Sequence, residues 1–579
     1  MVSAVVNRRE MLQIVGGAAA AGIVPARAEA QPRSFGSDEV VDVAVVGAGI
    51  SGLYSAWRLR TETRGVDGAA PKVIVLETSQ RIGGRLLSVA PPGIPGTRVE
   101  LGGMRFSTGH RRLSALVDHF GLLRDDFPVS DPQNIAYVRG RMLRHQDLLD
   151  ANALPYNLAP DERAEATLGD GFTALAARRA LRAMFGKDVP LNEVDWNEVA
   201  LKGRYEGKRL SDIPLQFVLQ RSVSEEAFRF AVDTSGYDSI LHTWNAADGF
   251  PWNLSDFAQA VSFFHLRDGL EQVPVTIAAR FQDAGGRIFL EQRLKSFDQT
   301  ILPDGSAGVE LHVASGDQSV RIVRARKLIL AMPRRSLELL DQTGAVLGPE
   351  NGRVHELIRS VQPIPLFKLA LCYSYPWWET VDAVQVQGPG GTTLANITRG
   401  RSVTDLPLRQ CYYWAKDESS QKAVVLIYDD GADLDFWAGL RDLGSNEPFE
   451  PDVRAMAADT PLPESWSAHR APRLMVEEAH RQMLIVHGAR NRTDVPMPYA
   501  AAYRDWGENP FGGGANFWRV NVRSDEVFQD ILQPKPPVPV YVCGEAYSHH
   551  QGWAEGPLAT ADAMLERHFG VGPPGWLKL

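Results

Sequence analysis

Residues Val41 to Leu53 read VDVAVVGAGISGL, an apolar, valine-rich run that leads directly into Gly47, Gly49 and Gly52. The run predicts a buried strand, and the residues that follow, opening with Ile50 and Ser51, predict a helix. In such a strand-to-helix turn the first glycine makes the tight bend, and the second lets backbone N–H groups approach a pyrophosphate. The third lets the helix pack closely on the strand. The helix N-terminus then faces the phosphates. A second apolar run, Lys72 to Leu76, ends in Glu77 and Thr78. Glu77 falls roughly 20–30 residues past the glycines, where a carboxylate can accept both hydroxyls of an adenosine ribose. With strand, glycines, helix, strand and acid all in register, a dinucleotide site is expected.

The chain has 579 residues, 44% hydrophobic and 23% charged. That length is too great for one ordinary core and predicts two or three domains in a soluble globular protein. The formal net charge of -9, with no run of Lys and Arg, argues against nucleic-acid binding. Cys372, Cys411 and Cys543 are scattered and odd in number, so buried free thiols are expected, with no disulfide framework and no metal site.

The N-terminus has the pattern of a leader. Asn7 to Gln13 reads NRREMLQ, followed by a Gly/Ala-rich apolar run from Ile14 to Val24, then Pro25 and Ala26-Arg27-Ala28. This is expected to be a signal peptide over residues 1–28, and Arg8-Arg9 makes it twin-arginine-like. The apolar run, about 11 residues, is too short to span a bilayer as a helix. This signal type resembles those of proteins exported already folded, into the periplasm or beyond, often with cofactor installed.

After the first βαβ unit come RIGGR (Arg81 to Arg85, containing Gly84) and RVELGGMRF (Arg98 to Phe106). Residues from Arg111 to Ala260 show apolar spacing near three and four and predict an inserted helical domain. From Phe264 the pattern returns to α/β. DGLEQVPVTIAARFQDAG predicts a helix, while Arg287 to Phe297, Arg326 to Pro333, Leu366 to Tyr375 and Ala423 to Asp430 predict strands. The last two suggest a mixed sheet in a substrate domain. PVYVCGEAYSHHQGWAEGPLATADAMLERHF then predicts a strand, a loop and a closing helix beginning near Pro557.

Together VVGAGISGL, LETSQRIGGR, ELGGMRF, FKLALCYSYPWW, TDLP, YYW, VLIYDDGAD and VYVCGEAYSHHQGWAEG resemble the FAD-dependent amine oxidases, and within them the L-amino-acid oxidases. The resemblance covers nearly all of the chain after the leader. It implies an α/β fold: a Rossmann-like FAD-binding domain assembled from separated segments, a mixed-sheet substrate-binding domain and an inserted helical domain lining the substrate entrance. In residue terms the FAD-binding domain comprises 38–110, 261–340 and 516–579, the helical domain 111–260 and the substrate domain 341–515. Homodimers are a family habit.

What the resemblance implies for individual residues has physical reasons. Gly102 and Gly103 would let backbone press against the isoalloxazine edge, with Met104 beside them. Arg105 would extend into the substrate cavity, where a guanidinium offers the planar fork that pairs two-point with an α-carboxylate. Taken alone, an arginine after paired glycines could equally brace the cofactor phosphates. Tyr428 resembles the tyrosine whose hydroxyl meets the same carboxylate, although a tyrosine at a strand end is also ordinary core. Lys368, flanked by apolar residues in LFKLAL, would hold a water against the flavin's reactive nitrogen; the alternative is an edge lysine guarding a sheet. Glu545, after Gly544, resembles the acid near the phosphate and ribitol. Gly552 and Trp553 would bring backbone beneath the flavin, with Trp553 walling the substrate cavity or simply packing, and Ala554 and Pro557 would open a helix whose positive end faces the flavin's pyrimidine oxygens. Gly84 and Arg85 belong to the same cofactor set. Where the family often carries a Val against the adenine, the aligned position is Arg293. His549 and His550 are adjacent and point to opposite sides of an extended chain, so they receive no role.

The implied activity is FAD-dependent oxidative deamination of an L-amino acid, by hydride transfer to the flavin and reoxidation by O2, giving a 2-oxo acid, ammonia and hydrogen peroxide. The rivals are an L-amino-acid monooxygenase that yields an amide, a monoamine or polyamine oxidase, and a non-catalytic FAD-binding scaffold. The pocket wall is expected from SGYDSILHTWN, with Trp244 a candidate contact or core residue. Apolar and aromatic substrates are expected, unless Asp233 or Asp238 points inward and favours basic ones.

Overall fold

The computed structural model describes residues 39–578 apart from 66–67, 167–170, 243, 256–260, 317–318, 380–396, 444–446, 453, 455 and 457–461. The expected signal peptide lies outside the described residues.

The valine-rich run forms the strand Val40–Val46, central in a seven-stranded sheet. It pairs in parallel with Val73–Leu76 on one side and Val320–Leu330 on the other. Arg287–Phe289 and Val540–Val542 extend the parallel part, so residues more than four hundred positions apart share one sheet. Near-continuous apolar strands are what a parallel sheet buried on both faces requires. The stretch expected as one strand from Arg287 to Phe297 is divided. Glu291 takes a positive φ of 57°, ending Arg287–Phe289, and Gln292–Ile301 starts an antiparallel meander with Ala307–Ser315 and the first half of Val320–Leu330.

The helix Ile50–Glu62 follows the glycines and packs against Gln272–Asp283 and the closing helix. Gly47 has φ of 108°, and a Cβ there would lie 2.5 Å from the Ala331 carbonyl oxygen. A Cβ on Gly52 would lie 2.0 Å from the Gly47 carbonyl oxygen. Both positions therefore exclude every side chain. The closing helix is Glu555–Phe569, starting two residues before Pro557, which sits in its first turn. The Glu555 carboxylate accepts from the backbone N–H groups of Arg112 and Leu113 at 3.0 and 2.9 Å and so caps the helix Arg111–Phe120.

A second seven-stranded sheet runs in the order Ala500–Asp505, Leu366–Tyr373, Ala423–Asp430, Gln410–Lys416, Arg401–Thr404, Ile135–Val138, Arg141–Arg144. Its last hairpin lies within the segment read as helical. The tight turn at Arg139 and Gly140, with φ of 51° and 72°, folds Ile135–Arg144 back on itself and onto this sheet. The helix Glu225–Ser235 packs against the hairpin strand Ile135–Val138, and Leu215–Ser222 packs against both Glu225–Ser235 and Ala246–Ser255. Cys372, Cys411 and Cys543 are free and buried. Among the described residues no helix is long and apolar enough to cross a membrane.

Gly52→Ala should destabilise the protein by about 1–3 kcal/mol through overpacking, whereas Gly439→Ala, in a helix with open space around the new methyl, should stabilise slightly. Thermal unfolding of the two variants checks the contrast; equal midpoints would contradict the close helix–strand approach.

Candidate active site

A cavity of about 1300 Å³ is lined by residues from both large sheets and from the helical segment. At one end stand Gly47, Gly49, Ile50 and Ser51, then Glu77, Thr78, Gly84, Arg85 and Arg293. Farther in are Gly102, Gly103, Met104, Arg105, Lys368, Tyr428, Gly544, Glu545, Gly552, Trp553, Ala554 and Pro557. Two residues of the expected set lie elsewhere. Gly52 is one layer back, packed on the Gly47 backbone. Trp244 is buried behind the wall: its indole stacks on Phe517 at 3.6 Å and donates to the Gln551 side chain. The SGYDSILHTWN stretch reaches the cavity instead through Tyr237, Ser239 and Ile240.

The dinucleotide end has the features a pyrophosphate needs. The helix Ile50–Glu62 has no side-chain cap at its N-terminus, so its first N–H groups are left to a ligand. A Cβ on Gly49 would meet only the Gly84 Cα, at 4.0 Å, which leaves that face of the turn open. The Glu77 carboxylate is pinned at the mouth of the turn by the N–H groups of Ala48 and Ser79, at 2.8 and 2.9 Å. The Arg293 guanidinium lies 5.7 Å from the centre of the Phe511 ring. These residues fit FAD.

Two groups at the inner end take on work the sequence did not suggest. A Cβ on Gly102 would fall 2.2 Å from the Arg85 carbonyl oxygen, and one on Gly103 would fall 2.7 Å from a Leu86 methyl. Glycine is required at 102 by the neighbouring backbone, before any ring is considered, whereas at 103 a side chain would displace only the Leu86 methyl. Glu545 is a strap: its carboxylate accepts from Arg85 at 2.7 Å, from the Asn516 backbone and side chain at 3.0 and 3.1 Å, and from the Gly552 N–H at 2.7 Å. It ties three separated segments together beside the cavity.

Arg105 is buried, and its guanidinium donates to the Tyr412 and Tyr237 hydroxyls, each at 2.9 Å. Aromatic rings surround it, with Phe263 at 5.1 Å, Phe127 at 5.5 Å and Trp553 at 6.0 Å. Its Nε has no partner, and no carboxylate among the described residues pairs with it. The sequence reading missed Tyr237, Tyr412, Trp252 and Phe263. YYW and SGYDSILHTWN contained the two tyrosines, but nothing local to either motif points at Arg105.

Lys368 and Tyr428 face each other across the antiparallel strands Leu366–Tyr373 and Ala423–Asp430. The Lys368 ammonium donates to the Gly102 carbonyl oxygen. Burial pulls its pKa down to about 7, partly opposed by the buried Glu100 carboxylate. Trp553 packs on His110 at 4.7 Å and on Phe263 and Trp252 at 6.1 Å. His549 packs on Phe528, and burial holds His550 neutral, with its pKa pushed down to about 4.

The family model for flavin-containing amine oxidoreductases matches residues 50–562. Among individual proteins, the chain is 26% identical over 555 residues to aplysianin-A of Aplysia kurodai, covering 92% of this chain and 91% of that one. It is 23% identical over 412 residues to an L-amino-acid oxidase of Echis ocellatus, covering 69% of each chain. The fold matches the solved structure of cyclohexylamine oxidase from Brevibacterium oxydans with a TM-score of 0.58 at 20% identity, over 91% of this chain and 99% of that one. With a flavin family matched across a dinucleotide cradle, the cofactor is FAD, and the chain belongs to the flavin-containing amine oxidoreductases.

Proposed function

We propose that this oxidoreductase deaminates L-amino acids to 2-oxo acids, releasing ammonia and hydrogen peroxide. The observation that carries the reading is Arg105, a buried guanidinium that lines the cavity among phenols and aromatic faces and pairs with no carboxylate among the described residues. A buried cation without a countercharge is costly, and a substrate α-carboxylate supplies that countercharge. A plain amine, the kind of substrate the name cyclohexylamine oxidase denotes, would leave it unpaired. The name of the Echis ocellatus relative supports the same reading.

In this reading Tyr237 and Tyr412 hold the guanidinium plane, and Arg105 with Tyr428 fixes the carboxylate. Trp553 bounds the space for the amine and the α-hydrogen. FAD held by the glycine turn, Glu77 and the Gly102–Met104 and Gly544–Glu545 segments would supply the two-electron acceptor, with O2 as the terminal oxidant. Lys368, anchored on the Gly102 carbonyl, holds a water at the inner end, and released imino acid is hydrolysed by water. No side chain is needed as base when the substrate binds with its amine deprotonated.

We also infer that residues 1–28 direct export of the folded, FAD-loaded protein by a twin-arginine route, from the order of Arg8-Arg9, apolar run and Ala-Arg-Ala. The division into FAD-binding, helical and substrate domains and the homodimer are proposed on the same footing as the site roles.

A peroxide-coupled assay across the L- and D-amino acids tests the activity, with product analysis separating 2-oxo acid from amide. Arg105→Ala should weaken transition-state binding by about 2–5 kcal/mol, read as a fall in kcat/KM carried by KM, and Arg105→Lys should not restore it because a point charge lacks the two-point fork. Unchanged kinetics would remove Arg105 from the site. The charged form of Lys368, favoured below a pKa of about 7, makes the stronger, charge-assisted hydrogen bonds to Gly102 and a water. Activity that depends on it therefore falls as pH rises through that value, and Lys368→Met should erase this inflection from the pH profile.

A further inference from the structure

Side chains two apart on a strand share a face, so Tyr428, which lines the cavity, puts Asp430 on the same face. Asp430 also lines it, beside Leu366 across the sheet, while Asp429 points the other way and accepts from the Trp437 indole at 3.1 Å. The two acids named from the sequence do not reach the cavity. Asp233 accepts from the Tyr156 hydroxyl at 2.6 Å, and Asp238 pairs with Arg409 at 2.9 Å.

Asp430 is 1% exposed. Its carboxylate accepts from the backbone N–H groups of Asp238 and Ser239, at 3.1 and 3.2 Å, and from the Ser239 hydroxyl. These three donors aim it from the helical segment and favour its charged form. Burial works against them and pushes its pKa up to about 6, which still leaves it ionised at neutral pH. Among the described residues no lysine, arginine or histidine pairs with it. The cavity thus presents two buried, fixed, opposite charges: Arg105, with no carboxylate, and Asp430, with no cation. Tyr237 lies between them, donated to by Arg105 and one residue from the Asp238 N–H that holds Asp430. The nearby wall of Tyr237, Ile240, Trp252 and Phe517 is apolar enough to take a methylene stem.

We propose that Asp430 is a specificity-determining residue that selects L-amino acids with a cationic side chain, such as lysine or arginine. A substrate with an α-carboxylate at one end and a side-chain cation at the other neutralises both buried charges. An apolar side chain of equal length would leave Asp430 desolvated and unpaired. This rests on the amino-acid oxidase reading above and reverses the expectation of apolar and aromatic substrates.

The test uses the FAD-loaded protein in a peroxide-coupled assay with L-lysine, L-arginine, L-norleucine and Nε-acetyl-L-lysine. The wild-type protein should prefer L-lysine over L-norleucine by about 100-fold or more in kcat/KM, with the acetylated form falling to the level of norleucine or below. Asp430→Asn, which keeps an oxygen for the Asp238 and Ser239 N–H groups, should collapse the lysine-to-norleucine ratio toward one. The comparison of lysine with its acetylated form needs no variant, so a poorly folding Asp430→Asn leaves the proposal exposed to refutation. Oxidation of norleucine as efficiently as lysine by the wild-type protein, or a ratio untouched in Asp430→Asn, would overturn this assignment alone. Absence of peroxide with every L-amino acid would overturn the oxidase reading and this proposal with it.

Discussion

An arginine enclosed by phenols and aromatic rings, with no acid among the described residues to balance it, sets the terms for the inner half of this molecule. Two tyrosine hydroxyls and the faces of Phe127, Phe263 and Trp553 hold the guanidinium, but none neutralises it. Cation–π contacts and neutral hydrogen bonds return only part of what burial of a charge costs. The rest must come from a ligand, so the charge acts as a standing preference for an anion at one point. Holding that point requires groups from six separated parts of the chain: Arg105 itself, Phe127, Tyr237, Phe263, Tyr412 and the loop before the closing helix.

The outer half depends on close approach. At Gly47 and Gly52 the helix and strand are so near that no Cβ fits, and the uncapped helix end is thereby brought to the cavity wall. Glu545 joins the halves. By accepting from Arg85, Asn516 and Gly552, it fixes the RIGGR loop, the strand Ala515–Trp518 and the Trp553 loop against one another, so the geometry of the cofactor cradle and that of the substrate space are set together.

Much of the fold was legible because its signals are local. A valine run entering spaced glycines, an acid ending the next strand, and alternating or continuous apolar stretches each report a conformation that neighbouring residues decide. The hairpin Ile135–Arg144 escaped notice because its turn is made by Arg139 at positive φ beside a single glycine, a weak signal inside a stretch with helical spacing. In the site, Arg105, Lys368, Tyr428 and Trp553 were legible through motifs. Trp244 stayed open between cavity contact and core, because a buried tryptophan lining a cavity and one stacked a layer behind it have the same local sequence. Asp430 could have been found by strand alternation from Tyr428, a step that needs only the period of a β-strand.

The sequence by itself determined the dinucleotide turn, the parallel strands around it and the residue types available for the chemistry, since each depends on backbone sterics and short-range patterning. Only the tertiary structure decided which of those residues meet. Arg105 finds Tyr412 and Tyr237 across 307 and 132 positions, and Asp430 is turned toward the cavity by donors 192 and 191 positions away. Whether a buried charge is neutralised at home or left for a ligand depends on what the packed chain brings within a few ångströms of it, and no local pattern records that.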